Sequence, residues 1–281
     1  MALCRPLYRL VLHTVELDMK LIDIRQTGLA QNRLLYVVFF VLRSILNFKL
    51  FMFSYYGSKS KIVDYYPPPK YGKIIEPFAG SARYSLKYFD RDVLLVDKYH
   101  IIVRTWNWLK QCSPNDILKL PILALGETLD NFDLSEDEKI FMGFVVQQGT
   151  TGLRKTVSKF AVDGIKANLS NIASQLFKIK HWNIMQGCYS DLPNEDATWF
   201  IDPPYQFGGH EYKHSNKNIN FTELADWCKS RNGQAIVCEN TKADWMEFKP
   251  MIDMQGAAFK TTEAIWSNLK TNYDNVQMGL F

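Results

Sequence analysis

At 281 residues, 47% of them hydrophobic and 22% charged, the chain is long and apolar enough for one large or two small folded domains. Its five cysteines (Cys4, Cys112, Cys188, Cys228, Cys238) are scattered, with no C-x-x-C pair and no local Cys/His spacing; this argues against a disulfide framework or a zinc site and fits a reducing cytoplasm. Residues 1–51 carry the whole formal net charge of +4, so the rest of the chain is neutral and any nucleic-acid contact needs a local basic patch.

Within residues 1–51 the longest uncharged apolar run, Leu34–Leu42, is shorter than the roughly 20 residues that span a bilayer. The basic region ahead of it is too long for a signal peptide, and no small-x-small cleavage pattern follows. These residues read as an N-terminal extension outside the main fold, with Met52 as an alternative start; a membrane-surface helix is the competing reading. Neither a membrane nor an obligate protein partner is expected.

Phe53-Ser54-Tyr55-Tyr56-Gly57-Ser58-Lys59-Ser60-Lys61 reads as a polar turn, and Ile62–Tyr66 as a helix stopped by Pro67-Pro68-Pro69. Lys73-Ile74-Ile75-Glu76-Pro77-Phe78-Ala79-Gly80-Ser81-Ala82 then gives a buried strand, an acid, a tight glycine turn and a helix start. Gly80 allows a close backbone approach to a ligand, Ser81 is a candidate cap for a helix to about Phe89, and Glu76 either meets the ligand or holds the loop. Val93–Asp97 is a second strand ending in an acid, 17 residues after Gly80, where doubly wound nucleotide-binding sheets bind ribose hydroxyls; a cap for the next helix is the alternative for Asp97. Ile101–Lys110 is an amphipathic helix with Trp106 and Leu109 toward the core.

From Cys112 to about Lys180 the strand–helix alternation breaks into helices at Ile117–Leu120, Glu136–Gln148 and Ile165–Lys178. A polar loop, Gln147–Thr156, opens a stretch (149–181) with six lysines and arginines against one acid. Arg154, Lys155 and Lys159 are the candidate DNA contacts in this stretch, by phosphate neutralisation. Trp182–Met185 leads into Gly187–Leu192, where Tyr189 or Asp191 is a candidate ligand contact. His210 and His214 are four residues apart, but lack helical pattern and further ligands, so no metal is expected. Phe221–Ser230 reads as a helix, Gln234–Cys238 as a strand, Ala243–Phe248 as a short helix, and Glu263–Trp266 with Val276–Phe281 as the last strands.

Thr198-Trp199-Phe200-Ile201-Asp202-Pro203-Pro204-Tyr205 organises the chain. An apolar strand delivers a carboxylate to a stiff corner whose prolines have no N–H to compete for acceptors. A carboxylate and a carbonyl there can each accept one N–H of an exocyclic amine, with a ring beside them to stack on a base. Glu76-Pro-Phe-Ala-Gly80 resembles the cofactor loop of S-adenosylmethionine methyltransferases. Paired with Asp202-Pro-Pro-Tyr205, and with Tyr55–Lys59 similar to an aromatic-x-Gly-Gly-Lys motif in which Ser58 replaces the second glycine, it resembles the Dam-like DNA N6-adenine methyltransferases over residues 53–281.

The resemblance implies an α/β, Rossmann-like methyltransferase domain (52–111 and 181–281) with a helical target-recognition insertion (112–180). It also implies S-adenosyl-L-methionine as methyl donor and double-stranded DNA as partner. The donor-binding set becomes Tyr55, Lys59, Glu76, Phe78, Gly80, Asp97 and Asp202, with Lys59 on the donor's carboxylate and Tyr55 beside its sulfonium. The catalytic set is Asp202, Pro203, Pro204 and Tyr205, acting on an adenine flipped out of the duplex. Methylation of another nucleobase amine, in RNA for example, and a non-catalytic nucleic-acid-binding relic are the competing readings.

Overall fold

The computed structural model describes residues 50–147, 151–255 and 260–273. The expectations for residues 1–49, for Gln148–Thr150 of the polar loop and for Val276–Phe281 lie outside these. The described residues all belong to one compact unit that starts at Leu50. Among them, no helix is long and apolar enough to cross a membrane.

Seven strands form one sheet: β1 (Lys73–Glu76), β2 (Asp92–Asp97), β3 (Asn183–Gln186), β4 (Ala197–Ile201), β5 (Gly233–Asn240), β6 (Lys249–Gln255) and β7 (Lys260–Ser267), in the order β3-β2-β1-β4-β5-β7-β6. The first five are parallel, and β7 runs antiparallel between β5 and β6. The order reverses at β1 and β4, which leaves a crevice beyond their carboxyl ends. Alternate residues enter two different cores. Ile74, Val93, Leu95, Phe200 and Ile236 face one, and Ile75, Val96, Trp199, Ile201 and Val237 the other. With both faces covered, these strands read as continuous apolar runs.

Helix α1 (Arg83–Lys87) follows β1, α2 (His100–Gln111) follows β2, and α3 (Pro114–Leu118), α4 (Glu136–Val145) and α5 (Ile165–Gln175) precede β3; α6 (Phe221–Lys229) lies between β4 and β5. Their starts are coded locally. Ser113 and Asp116 cap α3 reciprocally, Ser135 and Glu138 do the same for α4, and Asn220 accepts from Thr222 and Glu223 at α6. Trp106 and Leu109 of α2 are fully buried, as expected. The 112–180 segment shares the first core: Leu120, Phe141, Ile165 and Ile172 pack in the same cluster as Ile74 and Phe200.

Three local expectations are corrected. Ile62–Tyr66 forms turns closed by Ile62 and Val63 onto the Lys59 carbonyl rather than a helix, because Pro67 follows and the Tyr66 hydroxyl is drawn inward to Glu263. Ser81 caps nothing: α1 starts one residue later, at a left-handed Ala82, and the buried Arg83 side chain ties the start to the carbonyls of Leu50 and Phe53. Ala243–Phe248 is irregular, held by Gln206 to the Asp244 amide and by Trp245 between Phe221 and Phe248, and it feeds β6, which sequence periodicity does not reveal.

Candidate active site

The carboxyl ends of β1, β2, β3 and β4 open onto one cleft. Glu76, Phe78 and Gly80 line it from the loop after β1, Asp97 from the end of β2, and Tyr189 from the turn after β3. Asp202 and Pro204 line it from the corner after β4, and Tyr55 and Lys59 from the N-terminal turn. The two motifs, 126 residues apart at their acids, therefore share a wall.

The loop after β1 is held from both sides. The Asp97 carboxylate accepts the Gly80 amide at 3.0 Å and the Tyr99 amide at 2.8 Å, and Trp106 donates its indole N–H to the Gly80 carbonyl at 2.9 Å. Gly80 has φ +44°, where a side chain would be strained. Asp97 thus does what a loop and helix clamp does, while each of its oxygens keeps acceptor capacity for a hydroxyl in the cleft. Glu76 is buried and accepts the Ser85 amide at 2.7 Å, holding α1 against the loop. Burial pushes Glu76 up to about 8 and Asp97 up to about 6, against the pull of the amides they accept.

Asp202 forms a 2.8 Å ion pair with Lys59, which is itself buried. Burial pushes the Asp202 carboxyl up to about 6; the Lys59 ammonium opposes this and the Glu263 carboxylate adds to it. Burial works against the charge of Lys59, but Asp202 and Glu263 outweigh it and keep the ammonium protonated.

The partners of Lys59 revise its expected role. They are Asp202, the Gly57 carbonyl at 3.4 Å, Glu263 at 3.8 Å and the Tyr205 ring at 4.5 Å, so its donors are directed to the protein rather than offered to a ligand carboxylate. Tyr205 is revised likewise: its hydroxyl donates to Glu263 and one ring face meets Lys59, while Pro203 is buried behind the wall. Ser58, the departure from the glycine motif, accepts from the Arg83 guanidinium at 2.8 Å, a partner that glycine could not supply.

The sequence did not single out Glu263, Arg83 or Tyr212. Tyr212, in the loop after the corner, donates to the Tyr56 carbonyl at 3.2 Å and packs against Tyr55 and Tyr56. Tyr189 stacks near Phe78 on the opposite wall, whereas Asp191 turns back to the Cys188 amide.

Arg154, Lys155 and Lys159 are exposed on the segment that follows α4. Lys155 pairs with Asp130 at 3.0 Å, and Lys159 sits over the exposed Phe160 ring. Two other cations of this stretch are spent on structure. Lys178 is buried between Phe89 and Phe177, and Lys180 donates to the carbonyls of Lys110 and Cys112. The basic face is smaller than the residue count suggested.

No family model matches the chain, and no curated protein matches it.

Proposed function

We propose that the protein is a site-specific DNA adenine N6-methyltransferase that uses S-adenosyl-L-methionine. The observation that carries this reading is the meeting of the Asp202-Pro203-Pro204 corner with the Glu76–Gly80 loop in one cleft at the reversal of strand order. The chemistry of the cleft fits such a donor: carboxylates at Asp97 and Asp202 suit hydroxyls and a cation, and the Tyr55, Phe78 and Tyr189 rings offer flat apolar faces. Bound there, the donor supplies a methyl group on a cationic sulfur.

The rest falls to residues of this chain. Asp97 and the Gly80 loop form the sugar side of the cleft, and Tyr55 with Phe78 and Tyr189 form its aromatic walls. The free acceptor capacity of the Asp202 carboxylate takes one N–H of a flipped adenine amine, and a carbonyl of the proline corner takes the other. Both bonds favour a pyramidal nitrogen with an exposed lone pair, and the carboxylate offsets the positive charge that develops on it. Asp202 is a weak base, so its contribution is electrostatic and positional.

The test is transfer of radiolabelled methyl from the donor to duplex DNA, followed by digestion to nucleosides. Label in N6-methyladenosine of the deoxy series is expected. Asp202→Ala is expected to cut the rate by at least about 10²–10³-fold, with circular dichroism retained. Label on another base, label in structured RNA alone, or wild-type turnover by the variant would each overturn the reading.

A further inference from the structure

We propose that Glu263, on β7, is a positioning residue for Asp202 that acts through the Lys59 ammonium bridging the two carboxylates. Its importance for chemistry rests on the methyl-transfer reading above.

Glu263 is buried, 4% exposed, in the antiparallel part of the sheet, opposite Asn240 of β5 and Ile252 of β6. An apolar residue would fill an interior strand position at no desolvation cost, whereas a buried carboxylate persists only with partners. Its Oε1 gathers three of them: the Tyr66 hydroxyl at 2.5 Å, the Tyr205 hydroxyl, and the Lys59 ammonium at 3.8 Å. Two of the three bear directly on the corner. Tyr205 is its last residue, and Lys59 is the counter-ion of Asp202. Glu263 therefore fixes the corner from behind and fixes the cation in front of it.

The electrostatic consequence follows from the arrangement. Lys59 and Asp202 alone would form a neutral pair, with the carboxylate largely satisfied by the ammonium. A second carboxylate on the same ammonium competes for its donors and leaves the cluster with one net negative charge, so Asp202, where ionised, is less fully satisfied by Lys59 and more basic. The other groups facing Asp202 are the Glu76 and Glu239 carboxyls, the Cys238 thiol and the phenols of Tyr66, Tyr205 and Tyr212. Among these neighbours Lys59 favours the ionised form of Asp202, and Glu263 opposes it. Removing one or the other must move Asp202 in opposite directions, which a purely packing role for Glu263 would not do.

The experiment titrates the Asp202 carboxyl in ligand-free protein labelled with ¹³C-carboxyl aspartate, the resonance being assigned by its loss in Asp202→Asn. In Glu263→Gln, which keeps an acceptor for both tyrosines, the midpoint is expected to fall by about one pH unit; in Lys59→Met it is expected to rise by about one unit or more. A midpoint unmoved or raised in Glu263→Gln overturns the proposal, and that comparison decides even if Lys59→Met does not fold. The readout needs no turnover. If the midpoints move as expected in a protein that methylates nothing, the methyl-transfer reading fails and the coupling stands. If the protein methylates DNA and Glu263→Gln leaves the midpoint in place, the coupling alone fails.

Discussion

Two carboxyls of the cleft give opposite pH signatures, one in activity and one in stability. In the methyl-transfer reading, Asp202 offsets the charge developing on the amine only when ionised, and burial pushes it up to about 6. Methyl transfer, measured as kcat/KM, is therefore expected to rise as pH climbs through about 6; a profile flat from about pH 5 to pH 8 would contradict that role. Glu76 is pushed further, to about 8, from 4.5. The folded state holds its proton where the unfolded state does not, so the stability it contributes is full below about 4.5 and is lost as pH rises through about 8. Between about pH 7.5 and pH 8, above the values near 6 of Asp97 and Asp202 and near 7 of Glu239, wild-type stability should decline by up to about 1.4 kcal/mol per pH unit. Glu76→Gln should flatten that decline in denaturant titrations, since its carbonyl can still accept the Ser85 amide. An equal slope in the variant would assign the decline elsewhere. Asp202, Gly80 and Glu76 were legible in the sequence because each sits at a strand end within a short local pattern. Glu263 was not, because it reaches the corner from a strand 58 residues beyond Tyr205, and only the sheet order brings it there.

Elements with a self-contained signal were equally legible: β1, β2, α2, α4 and α6 lie within a few residues of their expected bounds because the apolar pattern marks each, and capping residues also mark α4 and α6. Where tertiary contacts decide, the local signal failed. Trp245, Met246 and Phe248 look helical, yet they pack as single side chains around α6 and the start of β6. The loop after the corner is an element of the same kind, shaped by where it docks. It docks by Tyr212 on the N-terminal turn, at Gly57, which has φ +71° and whose added Cβ would lie 2.0 Å from the Tyr212 hydroxyl. Gly57→Ala therefore combines backbone strain with displacement of Tyr212. It is expected to cost about 1–3 kcal/mol in thermal or denaturant unfolding, and to speed tryptic cleavage at Lys213 and Lys217 under native conditions. Unchanged cleavage would show that Tyr212 does not hold the loop.

At the scale of the whole molecule, the 112–180 segment is joined to the sheet by a common core, so its exposed cations are carried at a fixed distance from the cleft. The connection is traceable: Phe144 of α4 packs edge-on against Tyr55 of the cleft wall, and Arg154 donates its amide to the carbonyl of Gly143 next door. Arg154, Lys155 and Lys159, named from the sequence, do face solvent; that Lys178 and Lys180 are spent on packing and on helix-end carbonyls depends on contacts that no local pattern encodes. The division of labour makes a prediction with an internal control. Neutralising Arg154, Lys155 and Lys159 together should weaken binding to duplex DNA and flatten the plot of log affinity against log salt, by about 0.9 in slope for each phosphate no longer neutralised. Lys155 should contribute least, because phosphate must first displace Asp130. Lys180→Met should leave the salt slope unchanged and lower stability instead, since it removes the donor to the Lys110 and Cys112 carbonyls at the end of α2. Equal effects of the exposed and the structural lysines on the slope would place the nucleic-acid face on another side of the protein.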